Sequence, residues 1–210
     1  MLRHRLALTA LAILLSAPMA RAHPHVFVET GLTLVADEAG RLVGVEVSWT
    51  YDDFYSLLLL EDMGLDPDGD GVLSAEELAR LDGFDLQWIE GYLGDLYLSA
   101  GDAPVALGRP EGRGTDVADG RITTRHFRSF GPVDGAVVVR AYDPTFYTAY
   151  DLTGGVKVPE GCRLTIQPAD LDRAYTMVEE ALYANPAMPD DEFPEVGEAF
   201  ADVVEVSCRA

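Results

Sequence analysis

The sequence predicts an α+β protein: antiparallel strands forming a sheet or sandwich, an inserted helix-loop-helix after the first hairpin, and one late helix packed on the sheet. Three observations carry that expectation. Val43, Val45, Val47, Trp49 and Tyr51 alternate with Gly44, Glu46, Ser48 and Thr50, a period of two that gives a strand one buried face. An acidic run from Asp66 to Glu77 sits between two segments of helical character. Leu171, Ala174, Tyr175, Val178 and Leu182 share one helical stripe behind a capping Asp170.

The chain opens with Arg3 and Arg5, an apolar run from Leu6 to Leu15, and Ala20-Arg21-Ala22, the order of a secretory signal with a small-x-small cleavage site. That run is too short to cross a bilayer core of about 30 Å. Residues 1–22 are therefore expected to be a cleaved signal peptide, leaving 23–210 as a single exported α+β domain. Two strands between Val26 and Thr50 should turn at Asp37 to Gly40. Asp52 or Asp53 can then cap a helix through Phe54, Tyr55 and the run Leu57 to Leu60, which has no polar face and is expected to be buried. After the acidic run, Glu76 to Leu81 makes an outgoing helix and Gly83 interrupts it. Asp85 would cap a further segment with Trp88, Ile89, Tyr92 and Leu93 on one side, which closes the inserted unit, residues 52–93.

Beyond Gly94 the pattern predicts strands over Leu96–Ser99, Val105–Leu107, Arg121–Phe130, Ala136–Tyr142, Phe146–Leu152 and Arg163–Gln167, with Gly108 to Gly120 as a loop. The late helix should stop at Asn185-Pro186, Met188 to Glu198 reads as an acidic surface loop, and Phe200 to Val206 as a last strand. The two cysteines of the chain are Cys162 and Cys208. An exported chain usually pairs such residues, and antiparallel strands starting at Cys162 and ending near Cys208 would bring them together. The bridge would contribute about 4 kcal/mol on the chain-entropy model.

The chemistry is most specific in the acidic run. Asp66-Pro67-Asp68-Gly69-Asp70-Gly71-Val72-Leu73-Ser74-Ala75-Glu76-Glu77 puts oxygen donors at the first, third, fifth, ninth and twelfth positions and glycine at the sixth. That is the ligand order of an EF-hand calcium loop. Asp66, Asp68 and Asp70 would each supply one oxygen, Val72 its carbonyl, Ser74 an oxygen directly or through water, and Glu77 two. Gly71 stands where the chain must turn with positive φ, and Leu73 points back between the helices. No second loop of this kind is present, which favours a static clamp over a sensor.

The full chain carries 15 basic and 36 acidic residues, a formal net charge of -21. Loss of the signal removes three arginines, so the mature chain carries 12 basic residues against the same 36 acidic ones, a net of -24. Such a field repels nucleic acid and anionic lipid and concentrates cations. Cleavage after Ala22 would also expose His23-Pro24-His25, an α-amine beside two imidazoles, while His126 lies on a distant strand. Nitrogen donors of this kind suit nickel, cobalt, zinc or copper rather than calcium, so His23, His25 and His126 form a candidate transition-metal set. Alternation places His126 on one face of its strand with Ile122 and Thr124, where an ordinary core histidine is equally consistent. No nucleophile elbow, H-E-x-x-H or C-x-x-C motif occurs, so a non-enzymatic role is expected; a copper oxidase built on the histidines is the enzymatic alternative.

His23-Pro24-His25-Val26-Phe27-Val28, Trp49-Thr50-Tyr51-Asp52-Asp53-Phe54-Tyr55-Ser56, the acidic loop, and Phe200-Ala201-Asp202 with Cys208 resemble domain-of-unknown-function family 1007 over nearly the whole mature chain. The resemblance implies the periplasmic component of an uncharacterised ABC-type transport system, associated with nickel/cobalt permeases. It implies an accessory protein for transition-metal handling, with the histidine-bearing terminus as the metal contact and an inner-membrane metal permease as partner. A calcium-clamped docking domain for such a permease, with no transition-metal site, is the alternative.

Overall fold

The computed structural model describes residues 24–185 and 194–208. Eleven strands follow in chain order: β1 (Val26–Ala36), β2 (Leu42–Tyr51), β3 (Leu96–Ala100), β4 (Ala103–Val105), β5 (Glu111–Ala118), β6 (Arg121–Val133), β7 (Ala136–Ala141), β8 (Thr148–Asp151), β9 (Val156–Lys157), β10 (Arg163–Gln167) and β11 (Val203–Ser207). They form two sheets. One runs β5-β6-β2-β1-β8, with β9 also paired to β1; the other runs β10-β11-β7-β3-β4. Val28, Leu32, Val45, Val47 and Ile122 of the first sheet and Leu96, Val137, Val139, Val204 and Val206 of the second belong to one apolar core, so the α+β expectation holds as two sheets sharing an interior.

The first hairpin forms where the alternation placed it. β1 and β2 pair antiparallel from Val28 opposite Tyr51 to Ala36 opposite Leu42. The turn closes because the Asp37 carboxylate accepts backbone N–H groups from Ala39 and Arg41 and pairs with the Arg41 guanidinium at 2.7 Å. β8 and β9 join β1 in parallel, Val26 opposite Thr148 and Leu32 opposite Val156. This departs from the all-antiparallel expectation: the long path through the second sheet returns the chain alongside β1, which a strand's own alternation cannot specify. The Cys162–Cys208 disulfide is formed, beside the β10–β11 pair in which Arg163 faces Ser207.

Three helices pack around the sheets among the described residues: α1 (Asp53–Met63), α2 (Ala75–Leu81) and α3 (Leu171–Ala184). Asp52 caps α1 by accepting the N–H of Tyr55, and Gly64 ends it at φ 60°. The expected burial of Leu57 to Leu60 holds for Leu60, with Leu59 packed against the core, and fails for Leu57 and Leu58. Phe54, Leu57 and Leu58 are more than two-fifths exposed, and Ser56 and Leu60 are the buried residues of the helix. α3 starts at Asp170 and ends before Asn185 as its pattern required, with Ala174 and Val178 buried.

Two further expectations are corrected. Gly108 to Gly120 is not a loop throughout, because β5 pairs along β6 with a register shift between Gly112 and Thr115. The segment after Asp85 is not helical: Gly91 and Gly94 adopt φ 88° and 73°, and Trp88 folds back to donate from Nε1 to the Asp85 carbonyl at 2.6 Å. Gly94 is needed there, since a Cβ would lie 2.1 Å from the Trp88 ring. Strand ends also move. β4 ends at Val105 rather than starting there, and Gly197–Phe200 is a short 3₁₀ turn before β11. Of the predicted loop Met188 to Glu198, residues 188–193 lie outside the described residues.

Candidate functional site

Two groups of carboxylates stand out, one exposed and one buried. The exposed group is the acidic loop between α1 and α2. Asp66, Asp68 and Asp70 each present a carboxylate oxygen, and these atoms lie within 4.8 Å of one another. Backbone hydrogen bonds hold the curl: Asp66 accepts the N–H of Asp70 at 3.1 Å and of Gly71 at 3.0 Å, and Asp70 accepts that of Val72 at 2.8 Å. Gly69 and Gly71 take φ 68° and 76°, the left-handed conformation that a non-glycine residue resists. Ser74 caps α2 in a reciprocal box with Glu77.

Glu77 ties the two ends of this loop together. Its Oε1 accepts from the Asp66 N–H at 3.1 Å, and its Oε2 from the Ser74 N–H at 2.8 Å. Hydrogen bonds from Ser74 hold its carboxyl below the usual carboxylate range. The three aspartates therefore offer charged oxygen donors, Asp66 half-buried and the other two exposed, on a curled backbone. Such a group could hold a metal ion.

The buried group surrounds a cleft of about 550 Å³ between the first hairpin, the segment after α2 and the turn before β8. Six of the nine tyrosines of the chain line it, together with Trp49 and the carboxylates of Asp85, Asp95 and Asp143. Asp95 is 7 % exposed and sits at φ 51°. Tyr92 and Tyr150 both donate to its Oδ2, each at 2.8 Å. Asp85 Oδ2 accepts from the Thr124 hydroxyl at 2.6 Å and from Tyr51 at 3.1 Å, while its Oδ1 is buried without a partner among the described residues.

Burial dominates the electrostatics of this cleft. It pushes Asp95 up to about 6 and raises Asp85, in each case against the lowering effect of the hydroxyl donors. Burial, reinforced by the neighbouring aspartates, also drives Tyr51 and Tyr150 well above the ordinary phenol value, so both remain protonated donors. Sequence reasoning missed this site. Its signal is the repeated closeness of tyrosine and aspartate, in Tyr51-Asp52, Tyr92 with Asp95, and Tyr142-Asp143, none of which is distinctive alone.

His25 and His126 do not come together. His25 is exposed and its ring lies 5.0 Å from that of Tyr147; His23 lies outside the described residues. His126 is wholly buried, edge-on to Trp49 at 4.7 Å and Trp88 at 5.7 Å, and neither ring nitrogen has a partner among the described residues. Register fixes the separation. His126 faces Val47, which faces Leu32, and Leu32 is seven residues along β1 from His25, about 23 Å of strand. Burial, with Arg128 nearby, lowers His126 to about 4, which keeps its ring neutral. That arginine is itself buried. It donates to the carbonyls of Gly108 and Leu93 and lies 4.6 Å over the Trp88 ring, where it pins the segment leading into the cleft.

Compared with known families, the chain matches over residues 8–208 a model described as Protein of unknown function (DUF1007). No curated protein matches it.

Proposed function

Because the chain belongs to the DUF1007 family, whose description leaves its task open, we propose that it is a non-enzymatic, periplasmic cation-binding protein that holds calcium and serves metal transport. The observation that supports this most directly is the convergence of Asp66, Asp68 and Asp70 within 4.8 Å on a backbone already curled to receive an ion. Asp66, Asp68, Asp70, Val72, Ser74 and Glu77 would hold the calcium. The ion's contribution is electrostatic: it neutralises side chains that otherwise repel one another and locks α1 to α2. With one loop of this kind, calcium acts as a clamp on residues 52–93.

The transport part of this reading rests on the terminus. The α-amine, His23 and His25 would take a nickel, cobalt, zinc or copper ion, and His126, buried and remote, takes no part. Transport would proceed through an inner-membrane metal permease. Calorimetric titration of the mature chain tests both parts. Calcium should bind with a stoichiometry of one, Glu77→Gln should abolish that binding, and zinc or nickel binding should survive Glu77→Gln but not His25→Ala. A flat calcium trace overturns the reading.

A second reading keeps the calcium clamp and dispenses with the transition metal, making the protein a docking module for the permease. One observation favours it: Phe54, Leu57 and Leu58 form an exposed apolar stripe on α1, directly before the loop. Calcium binding together with loss of all zinc and nickel affinity in the wild-type chain would select this reading over the first.

A further inference from the structure

The tyrosine-lined cleft is independent of the calcium loop and carries a separate chemistry. Its carboxylates do not converge as the loop's do. Among the described residues, Asp66, Asp68 and Asp70 alone make a group of three or more potential metal ligands, so a metal ion in the cleft would lack a ligand set. Among the described residues no lysine, arginine or histidine side chain lines it, and apart from the carboxylates and Thr148 its walls are aromatic and aliphatic.

Asp95 is the key group. More than nine-tenths buried, it is held at Oδ2 by two tyrosine hydroxyls and lines the cleft. Asp85, the second carboxylate on the wall, has the buried oxygen without a partner among the described residues, Oδ1. An acceptor buried in this state is costly unless something donates to it. The raised affinity of Asp95 for a proton is the same imbalance seen from the acid side.

Negative oxygen acceptors in want of donors, enclosed by π-faces with no competing cation, match one kind of ligand. We propose that the cleft binds a protonated amine, its N–H groups on the carboxylate of Asp95 and the unpartnered Oδ1 of Asp85, and its carbon skeleton against the aromatic wall that includes Trp49, Tyr51 and Tyr147. Aromatic rings attract such a cation through their quadrupoles, and more strongly where water is excluded. A quaternary ammonium would satisfy the rings but leave the carboxylate acceptors empty, so the site discriminates for N–H. The cleft's volume admits an amine with a substantial body, as on an amino sugar or a basic amino acid.

The test is titration of the mature chain with butylammonium chloride in EDTA, read by calorimetry and by tryptophan fluorescence, since Trp49 lines the cleft. Tetramethylammonium and butan-1-ol are the competitors without N–H donors on a cation. Butylammonium should bind at least tenfold more tightly than either. Asp95→Asn should reduce its affinity tenfold or more, while Glu38→Gln, in the exposed hairpin turn, should leave it unchanged. If Asp95→Asn fails to fold, Asp85→Asn gives the same reading from the second carboxylate. Binding of butan-1-ol or tetramethylammonium as tight as that of butylammonium, affinity indifferent to both substitutions, or no binding, each overturns the proposal. EDTA keeps the result separate from calcium: the amine site can fail with the loop intact, and the loop can fail with the amine site intact.

Discussion

Asp66, Asp68 and Asp70 on one side, and Asp85 and Asp95 on the other, are the same side chain in opposite surroundings. The loop aspartates stand near the surface, contacted mainly by backbone N–H groups of their own turn. The cleft aspartates sit in the interior and are contacted by hydroxyls from tyrosines and a threonine brought from β2, β6, β8 and the non-helical segment before β3. A carboxylate in water keeps its charge cheaply and can surrender its hydration to a hard ion. One in the interior is stabilised as an anion by donors, or else takes a proton. The difference teaches that acidity alone assigns no role: the donors supplied by the fold decide what each aspartate can do.

The strongest way to break the comparison is to remove calcium's side of it. At calcium a thousandfold above its dissociation constant the ion should stabilise the fold by about 4 kcal/mol. Asp66→Ala should erase that stabilisation, seen as a melting temperature that no longer responds to calcium or chelator. The interior side is probed by pH. His126, with its affinity for protons lowered to about 4, binds fewer protons folded than unfolded between about pH 4 and 6.5, so its share of stability is present above 6.5 and lost on acidification. Asp95, raised to about 6, has the reverse sign, and its share is lost as pH rises from near 4 through 6. Each is worth about 3 kcal/mol, and over the shared window they oppose. His126→Phe removes one and keeps the other. Relative to wild type, the variant should gain about 3 kcal/mol in urea unfolding between pH 7 and pH 4; parallel pH profiles would refute the assignment.

Smaller substitutions sharpen the contrast. Thr124→Val deprives Asp85 of its shortest hydrogen bond inside the protein and should cost about 1 to 3 kcal/mol. Ser74→Ala removes the corresponding cap at the exposed loop and should cost only about 1 kcal/mol without calcium. Urea unfolding in chelator compares them, and equal losses would deny that burial separates the two regions. Smallest of all, Leu57→Ser on the exposed stripe of α1 should change stability by less than about 0.5 kcal/mol. A larger loss would mean that this face is covered.

The closeness of Asp66, Asp68 and Asp70 was legible in the sequence because it is local, set by consecutive residues with glycines where the turn demands them. The hairpin, α3 and the cysteine pairing were legible for a similar reason, each following from alternation, capping or strand direction. The cleft was not. It is assembled from Tyr51 on β2, Asp85 and Tyr92 in a non-helical segment, and Tyr150 on a strand that joins β1 in parallel. Period-two patterning says which face a residue takes, not which distant strand lies beside it. The segment after Asp85 misled because Trp88, Ile89, Tyr92 and Leu93 fall at helical spacing, yet Gly91 and Gly94 turn with positive φ and Arg128 holds the Leu93 carbonyl. α1 misled in the other direction: a run of four leucines reads as core, while the structure buries Leu60, packs Leu59 against the core and leaves Leu57 and Leu58 exposed.

The most direct test follows the backbone amides of ¹⁵N-labelled protein while calcium is added. Shifts confined at first to Asp66 through Glu77, with Gly71 and Val72 among them, and reaching saturation at one ion per chain, are what the account predicts. Calcium-dependent shifts that begin at Asp85, Tyr92 and Asp95, or a loop that stays unmoved at millimolar calcium, would contradict it.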